Sequence, residues 1–345
     1  MVVICFGTRP EVIKFSSVIK ELSERKIPFK TVFTGQHKEL FDDVSDLVPA
    51  PGYRLDLMKK NQTLNHIVAA IAQKLTPILN TLRPTVLLVQ GDTTTAMTSA
   101  LCAFNMNIPV GHVEAGLRTF NLNAPFPEEG NRQIISRIAA FNWAPTELSA
   151  KHLKAEKCSN VEVTGNTVVD MCHNLNYKGE YGNTVLITLH RRENFGEKMK
   201  SYFEQIETLA KRYPKLEFVF PMHPNPKVQE NRDLLKHVTV TAPMGYFDFL
   251  KAVSKAKLII TDSGGVQEEA GTFKKRILLC RPNTERAEGV KAGFVQLVPD
   301  NLIEAFEKVI HNPEHNIDNP FGDGKAAERI VNSMINRFPK LNKHD

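Results

Sequence analysis

The pattern of apolar and polar positions along the chain predicts alternating strands and helices. Short apolar runs such as Val2–Phe6 and Thr85–Val89 are typical of buried strands. Between them lie longer segments in which apolar residues recur every three or four positions, as from Thr63 to about Leu82. Strands that alternate with helices of this length predict βαβ units and an α/β fold with mainly parallel sheets.

The second half repeats this pattern. Cys172–Gly182 is polar and contains glycine, as a linker does, and the apolar strand Thr184–Leu189 opens a new α/β series. A last helix is expected over Gly324–Phe338. The predicted division is an N-terminal domain over 1–170, a C-terminal domain over 171–320 and a terminal segment over 321–345.

Length and composition limit the classes of protein to which this chain can belong. A chain of 345 residues is long for one core, which supports two domains. No apolar run approaches the length of a membrane span, and the first residues lack a signal-peptide pattern. The five cysteines have no metal-ligand spacing. We therefore expect a cytoplasmic protein with reduced thiols, no metal site and no membrane partner.

The net charge is +6, from 44 basic and 38 acidic residues, and no long basic block is present. Single arginines in glycine-containing loops suit small anions better than a nucleic acid. We expect no nucleic-acid partner.

Val110–Arg132 is the densest concentration of candidate chemistry. An apolar strand runs into a loop that carries Glu114, Glu128 and Arg132. Ligands of open α/β sheets bind beyond the carboxyl ends of strands, so carboxylates and arginines there indicate proton transfer near an anionic ligand. The stretch is also compatible with a solvated acidic loop whose arginines are counter-ions.

Two other strand-end loops of the first half are polar. Arg9 lies in a Gly-Thr-Arg-Pro turn and Lys14 one helical turn later, which suits a phosphate, although an ordinary turn would look alike. Asp92 follows the strand Thr85–Val89 and is either a general base or the cap of the next helix.

The second half offers a nucleotide site. Ser263, Gly264 and Gly265 precede a helix, where backbone N–H groups can approach a phosphate, and Glu269 lies one turn later, where a carboxylate could bind ribose hydroxyls. His190 begins a His-Arg-Arg run at a strand end and could neutralise a departing diphosphate. A capping serine and a basic surface loop are the structural alternatives. Together the two halves indicate nucleotide-sugar chemistry, in which glycosyl transfer and isomerisation would look alike.

Nine motifs in order carry a family resemblance across nearly the whole chain: GTRPEVIK, QGDTTT, GHVEAGLRT, PFPEEGNR, TGNTVVD, LHRREN, PMHPNP, TDSGGVQEEA and NTERAEG. The chain resembles the non-hydrolysing UDP-N-acetylglucosamine 2-epimerases. The resemblance implies a GT-B fold, with two Rossmann-like domains, an interdomain cleft and a C-terminal helix that returns to the first domain. It also implies reversible conversion of UDP-GlcNAc to UDP-ManNAc by a cytoplasmic homodimer without cofactor or metal.

The resemblance assigns roles by motif. The acid/base carboxylates would be Asp92, Glu114 and Glu128, and His190 would act beside the diphosphate. The substrate-binding positions would be Arg9, Lys14, Arg132, Phe249, Ser263, Gly264, Gly265, Glu269 and Arg286. A second, regulatory UDP-GlcNAc would bind at Gln36, His37 and Gln62. The alternative is that His37 only starts a helix and the two glutamines only cap local backbone.

The chemistry of the sugar favours an elimination. The C2 proton is not acidic, since no carbonyl is next to C2, so loss of UDP across C1–C2 offers a lower route than simple deprotonation. Re-addition of UDP to the 2-acetamidoglucal after protonation from the other face would complete the epimerisation. The alternatives are a hydrolysing 2-epimerase that releases ManNAc, a GT-B glycosyltransferase, and a non-enzymatic nucleotide-sugar sensor or nucleic-acid binder.

Overall fold

The computed structural model describes residues 1–35, 44–57 and 62–342. The chain forms two compact units. Unit 1 contains Met1–Met171 and the segment that starts at Phe321, and unit 2 contains Cys172–Pro320. The last segment of the chain therefore belongs to the same unit as the first.

The sheet of unit 1 has seven strands among the described residues, all parallel, in the order β3-β2-β1-β4-β5-β6-β7. The strands are β1 Val2–Phe6, β2 Phe29–Phe33, β3 Tyr53–Arg54, β4 Val86–Gln90, β5 Val110–Val113, β6 Phe141–Ala144 and β7 Val161–Val163. The strand order reverses between β1 and β4. At such a switch point the loops after the two central strands diverge and leave a crevice for a ligand.

Among the described residues, an α-helix follows most of these strands up to the end of unit 1's first segment. These helices are α1 Arg9–Glu24, α2 Leu64–Leu82, α3 Thr94–Asn105, α4 Glu128–Ile138, α5 Glu147–Ala155 and α6 Thr167–Asn174, the last of which runs into unit 2. The fully buried Ile71 and Leu75 of α2 pack with Val3 and Leu87 of the central strands. The same core includes Cys5 and Val89, near the carboxyl ends of β1 and β4.

Unit 2 repeats the design with six parallel strands in the order β10-β9-β8-β11-β12-β13. The strands are β8 Thr184–Thr188, β9 Glu217–Pro221, β10 Thr239–Thr241, β11 Leu258–Thr261, β12 Ile277–Leu279 and β13 Val295–Leu297. The helices are α7 Glu197–Arg212, α8 Pro226–Gln229, α9 Tyr246–Lys255, α10 Gly265–Thr272, α11 Ala287–Ala292 and α12 Leu302–Val309. The switch point lies between β8 and β11.

The final helix, α13 (Ala326–Arg337), packs against α1 of unit 1. Asp170 caps its start by accepting hydrogen bonds from the backbone N–H groups of Ala326 (3.0 Å) and Ala327 (2.7 Å). The Trp143 indole donates to the Ser333 hydroxyl at 3.0 Å. A GT-B-type pair of Rossmann-like units with a returning C-terminal helix, as predicted, is therefore the fold of this chain.

Two local predictions are wrong. The linker predicted from Cys172 onwards begins inside α6, because Val168, Val169, Met171 and Cys172 are buried and prolong the helix. The segment predicted as a loop before α2 contains the short strand β3. None of the helices among the described residues is both long and apolar enough to cross a membrane.

Candidate active site

In unit 1, Glu11 joins the loops that follow β1 and β4. Its carboxylate accepts hydrogen bonds from the N–H groups of Gly7 (3.0 Å) and Thr8 (2.8 Å), and from the hydroxyls of Thr8 (2.8 Å) and Thr93 (2.7 Å). Burial raises the pKa of Glu11, and these hydrogen bonds oppose the rise. Because Thr93 also caps α3, one buried carboxyl group fixes both sides of the switch point.

The loop Gly91–Thr93 is held at every residue. The Gly91 carbonyl lies 2.7 Å from Nε2 of His112, and the Asp92 carbonyl accepts from the Asn131 amide at 2.9 Å. The Asp92 carboxylate pairs with the Arg132 guanidinium. The backbone carbonyl and the carboxylate of Asp92 are therefore both held by residues of α4, and the carbonyl of its neighbour Gly91 contacts a residue of β5.

Glu114 follows β5 directly, with a backbone φ of +63°. This left-handed conformation is uncommon for residues other than glycine and is often found at functional sites. The Oε2 atom of its buried carboxylate pairs with the Lys14 ammonium and accepts a hydrogen bond from the Asn166 amide at 2.8 Å. Lys14, predicted as a substrate-binding cation, contacts a predicted acid/base group.

Glu128 and Arg132 lie four residues apart on α4, so their side chains share one helix face. The Oε2 atom of Glu128 is buried and has no hydrogen-bond partner among the described residues. The adjacent Glu129 differs, since it accepts from the backbone N–H groups of Thr119 and Phe120 and from Arg132. Glu129 thus shapes the loop, and Glu128 has unused capacity to accept or carry a proton.

In unit 2, Asp262 organises the loop after β8. Fully buried at the end of β11, it accepts from the backbone N–H groups of His190 and Arg191 and from the Asn194 amide, at 2.9 to 3.1 Å. The His190 ring stacks on His223 with 5.6 Å between centroids. Partial burial lowers the pKa of His190, and the charge of Asp262 partly offsets this. His190 therefore favours the neutral form more than a solvated histidine does.

The start of α10 brings Gly264 against Arg286. The Arg286 guanidinium donates from Nε to Glu268 at 2.6 Å and pairs with Glu285 at 2.5 Å. A Cβ atom on Gly264 would lie 2.7 Å from this guanidinium, whereas one on Gly265 would meet nothing within 4 Å. The neighbouring Ser263 donates its N–H to the Thr261 hydroxyl at 2.9 Å. The backbone N–H groups at this helix N-terminus suit a phosphate, and the neighbouring Arg286 guanidinium is held by two carboxylates.

Glu269 lies on α10, and its carboxylate accepts a hydrogen bond from the Tyr246 hydroxyl at 2.8 Å. Tyr246 begins α9, and Phe249 follows one turn later on the same helix and is partly exposed. The predicted ribose-binding carboxylate and the predicted aromatic residue are thus carried by two helices that pack together.

Other predicted positions are less informative. Arg9 is the first residue of α1 and is partly exposed. Gln62 directly precedes Thr63, the cap of α2. Gln36 and His37 lie outside the described residues, so the regulatory site stays a prediction. No group of three or more His, Cys, Asp or Glu in the described segments could hold a metal ion.

Several structurally important residues were not predicted as site residues: Glu11, Thr93, Asn131, Asn166, Tyr246, Asp262 and Glu285. Only Glu11 has a local signal, because Thr8 and Glu11 form the spacing of a capping box. Of the others, Glu285 pairs with the nearby Arg281 and Arg286, and the rest contact partners far away in the sequence, which spacing does not reveal.

Comparison with known proteins identifies the family of the chain. The family model described as UDP-N-acetylglucosamine 2-epimerase matches residues 20–335. The chain belongs to the UDP-N-acetylglucosamine 2-epimerase family. The epimerase of that name from Neisseria meningitidis is 42% identical, with 96% of this chain and 98% of that protein covered. The one from Campylobacter jejuni is 38% identical, with 97% of each covered.

Solved structures of epimerases share the fold. The crystal structure of the UDP-GlcNAc 2-epimerase from Neisseria meningitidis bound to UDP-GlcNAc has a TM-score of 0.90 and 40% identity, and covers 97% of this chain and 99% of that chain. The Methanocaldococcus jannaschii epimerase in complex with UDP-GlcNAc and UDP has a TM-score of 0.84 and 34% identity, with 97% and 99% covered. MurG of Acinetobacter baumannii, at 15% identity and a TM-score of 0.57, shares the fold alone.

Proposed function

We propose that this chain reversibly epimerises C2 of UDP-GlcNAc to give UDP-ManNAc, by elimination and re-addition of UDP. The observation that carries the proposal is the pairing of two strand-end carboxylates with cations in unit 1: Glu114 with Lys14, and Asp92 with Arg132. These pairs lie at the switch point and beside it, where a ligand of such a sheet binds. The UDP-GlcNAc-bound relative from Neisseria meningitidis supports the choice of substrate.

In the proposed reaction a carboxylate removes the C2 proton while the C1–O bond to UDP breaks. The products of this half are UDP and 2-acetamidoglucal. A proton is then delivered to C2 from the opposite face, and the UDP oxygen re-forms the bond to C1. Proton carriers are needed on both faces, and Asp92, Glu114 and Glu128 supply three candidates.

We assign the nucleotide to residues of unit 2. The N-terminus of α10 at Ser263–Gly265 and the Arg286 guanidinium offer donors and positive charge to the diphosphate, and His190 would stabilise its growing charge with a hydrogen bond or a proton as UDP departs. The Glu269 carboxylate suits the two ribose hydroxyls, and Phe249 offers a ring for the base. In unit 1, Arg9 and Arg132 add further cations for the substrate.

We also propose that the chain acts as a homodimer. Exposed apolar side chains support this: Leu101 and Phe104 lie on one face of α3, and Ile134 lies on α4, which packs beside it. These side chains are 37%, 51% and 46% exposed, respectively. Phe104 thus presents half of a large aromatic side chain to the solvent. A second copy of the chain would cover such a surface.

The test is incubation of pure protein with UDP-GlcNAc in D2O, followed by NMR. We expect deuterium at C2 of both UDP-sugars and slow release of UDP with the glycal. Asp92→Asn and Glu114→Gln should each lower kcat by about 100- to 10,000-fold, the usual effect of removing an acid/base group. Glu147→Gln, at the exposed start of α5, is the matched control and should retain wild-type turnover.

Other outcomes distinguish the alternatives. Epimerisation without deuterium at C2 would exclude the elimination. Accumulation of free ManNAc would identify a hydrolysing enzyme, and transfer of the labelled sugar to an added acceptor would identify a glycosyltransferase. Binding of UDP without turnover would indicate a sensor.

A further inference from the structure

The orientation of the Glu114 carboxylate is set by two donors on one of its oxygens. Lys14, from α1, and the Asn166 amide both contact Oε2. The other oxygen, Oε1, lies toward Gly91, where an added Cβ would be 3.9 Å away. Oε1 is thus directed to the loop that also carries Asp92.

Asn166 itself can adopt one orientation only. Its Oδ1 accepts the Val168 N–H at 3.1 Å, so the amide must present Nδ2 to Glu114. Its own backbone N–H donates to the carbonyl of Phe321 at 2.7 Å, where the chain re-enters unit 1. The side chain is buried, with 1% exposure. A fixed, buried amide therefore holds one oxygen of a predicted catalytic carboxylate.

Charged and titratable groups approach Glu114 from several elements. Lys14 comes from α1, His112 lies two residues earlier on β5, and the Asp92–Arg132 pair belongs to the β4 loop and α4. Asn166, which also contacts Glu114, has no titratable group. It adds a directional hydrogen bond to the charged carboxylate without adding charge.

We propose that Asn166 is a positioning residue for Glu114. It holds Oε2 so that Oε1 carries the proton to or from C2 of the sugar. This inference rests on the proposed epimerase function and deepens it. Asn166 does not touch the reacting atoms, and it acts only through the geometry and protonation of Glu114.

Asn166→Asp is the discriminating variant because it keeps the size, the bond from Val168 and the backbone bond to Phe321. It replaces one donor by a carboxylate that faces Glu114. Two facing carboxylates have no hydrogen-bond donor between them while both are ionised, so the bond is lost at neutral pH. It is restored as the pair takes up one proton and shares it at lower pH. Asn166→Ala lacks the donor at every pH.

For Asn166→Asp we expect kcat at neutral pH to fall about 10- to 100-fold, the size expected for a hydrogen bond to a charged group, with KM within about threefold of wild type. The ratio of variant to wild-type kcat should rise as the pH is lowered. Asn166→Ala should show the loss without the recovery. Wild-type kcat in Asn166→Asp, or equal ratios for both variants across the pH range, would overturn the inference.

A second measurement separates this inference from the proposed function. If the wild type does not convert UDP-GlcNAc, the proposed function fails, and the carboxyl group can still be observed directly. In protein labelled with ¹³C at glutamate carboxyls, the Glu114 signal is assigned through its absence in Glu114→Gln. Its titration midpoint should move to higher pH in Asn166→Asp than in the wild type. An unchanged midpoint would contradict the positioning role.

Discussion

His112 shows how a single buried side chain supports the site. It lies on β5 with no exposed surface, and Nε2 contacts the Gly91 carbonyl at 2.7 Å. A neutral ring whose Nε2 carries the proton donates this bond. Burial lowers the pKa of His112 to about 4, since a charged imidazole would lose its hydration. The loop that carries Asp92 thus depends on a histidine that stays neutral.

This pKa predicts a pH dependence of stability. In the unfolded chain a histidine titrates near 6.5, so between pH 6.5 and 4 the unfolded state binds more protons than the folded state. Stability should therefore fall as the pH falls through this window, by about 3 kcal/mol from His112. His112→Gln should flatten this fall, because glutamine can donate to Gly91 and does not titrate.

The measurement is urea unfolding at several pH values, followed by the fluorescence of Trp143. This is the only tryptophan of the chain and lies buried in unit 1, so it reports on the unit that contains His112. His173→Gln, at an exposed position on α6, is the control and should keep the wild-type slope. An equal slope in His112→Gln and the wild type would contradict the assignment.

For single residues, the sequence predicts which side chains lie at the end of a strand, but not which side chains they contact. Asp92 and Glu114 follow apolar strands, and their place beyond a sheet edge is readable from that pattern alone. Glu11 contacts Thr93, 82 residues away, and Asn166 contacts Glu114, 52 residues away. Such contacts depend on which strands become neighbours and on side-chain rotamers, which spacing does not specify.

Two adjacent glycines, Gly264 and Gly265, lie at the start of α10 in different surroundings. A methyl group at Gly264 would lie 2.7 Å from the Arg286 guanidinium and 2.9 Å from Glu285, and both groups are held by buried ion pairs. We expect Gly264→Ala to lower the stability of unit 2 by about 1 to 3 kcal/mol, as overpacking of a filled site does. It should also weaken UDP binding, because Arg286 must move.

Gly265→Ala is the control for this prediction. The space around Gly265 is open, and alanine favours the helix more than glycine does. The unfolding temperature of the protein without ligand should therefore be unchanged or slightly higher. Thermal unfolding compares the two variants, and calorimetric titration with UDP compares the affinity of Gly264→Ala with that of the wild type. Equal stability of both variants would contradict the prediction, because it would show that the Arg286 side chain can move aside without loss of stability.

The accuracy of the predicted elements follows their local signals. β1 agrees with the predicted Val2–Phe6 residue for residue, because it is a short apolar run that ends at a glycine-containing turn. β3 has two residues and too little pattern to detect. α5 was not predicted. It depends on the Thr146 cap and on Gly116, which lets the backbone of β5's loop approach Ser149 closely.

For the whole molecule, alternation of strands and helices predicts two parallel sheets but not their strand order. Both sheets place their first strand beside their fourth, β1 with β4 and β8 with β11. The resulting switch points bring Glu11 to Thr93 in unit 1 and His190 to Asp262 in unit 2. The candidate chemistry therefore comes from pairing over long sequence distances, which the family motifs indicate and periodicity does not.

The proposed homodimer is a prediction at this same scale. If the face formed by Leu101, Phe104 and Ile134 binds a second copy, the wild type should have a mass of about twice 38.8 kDa by light scattering after size exclusion. Phe104→Asp should shift the mass to 38.8 kDa at equal concentration, since a buried unpaired charge at an interface costs several kcal/mol. The fold should survive, because Phe104 is half exposed within the subunit. Val163→Asp, at an exposed apolar position on β7, should remain dimeric. A wild type that runs at the mass of one chain, or a dimer that Phe104→Asp leaves intact, would place the interface elsewhere or remove it.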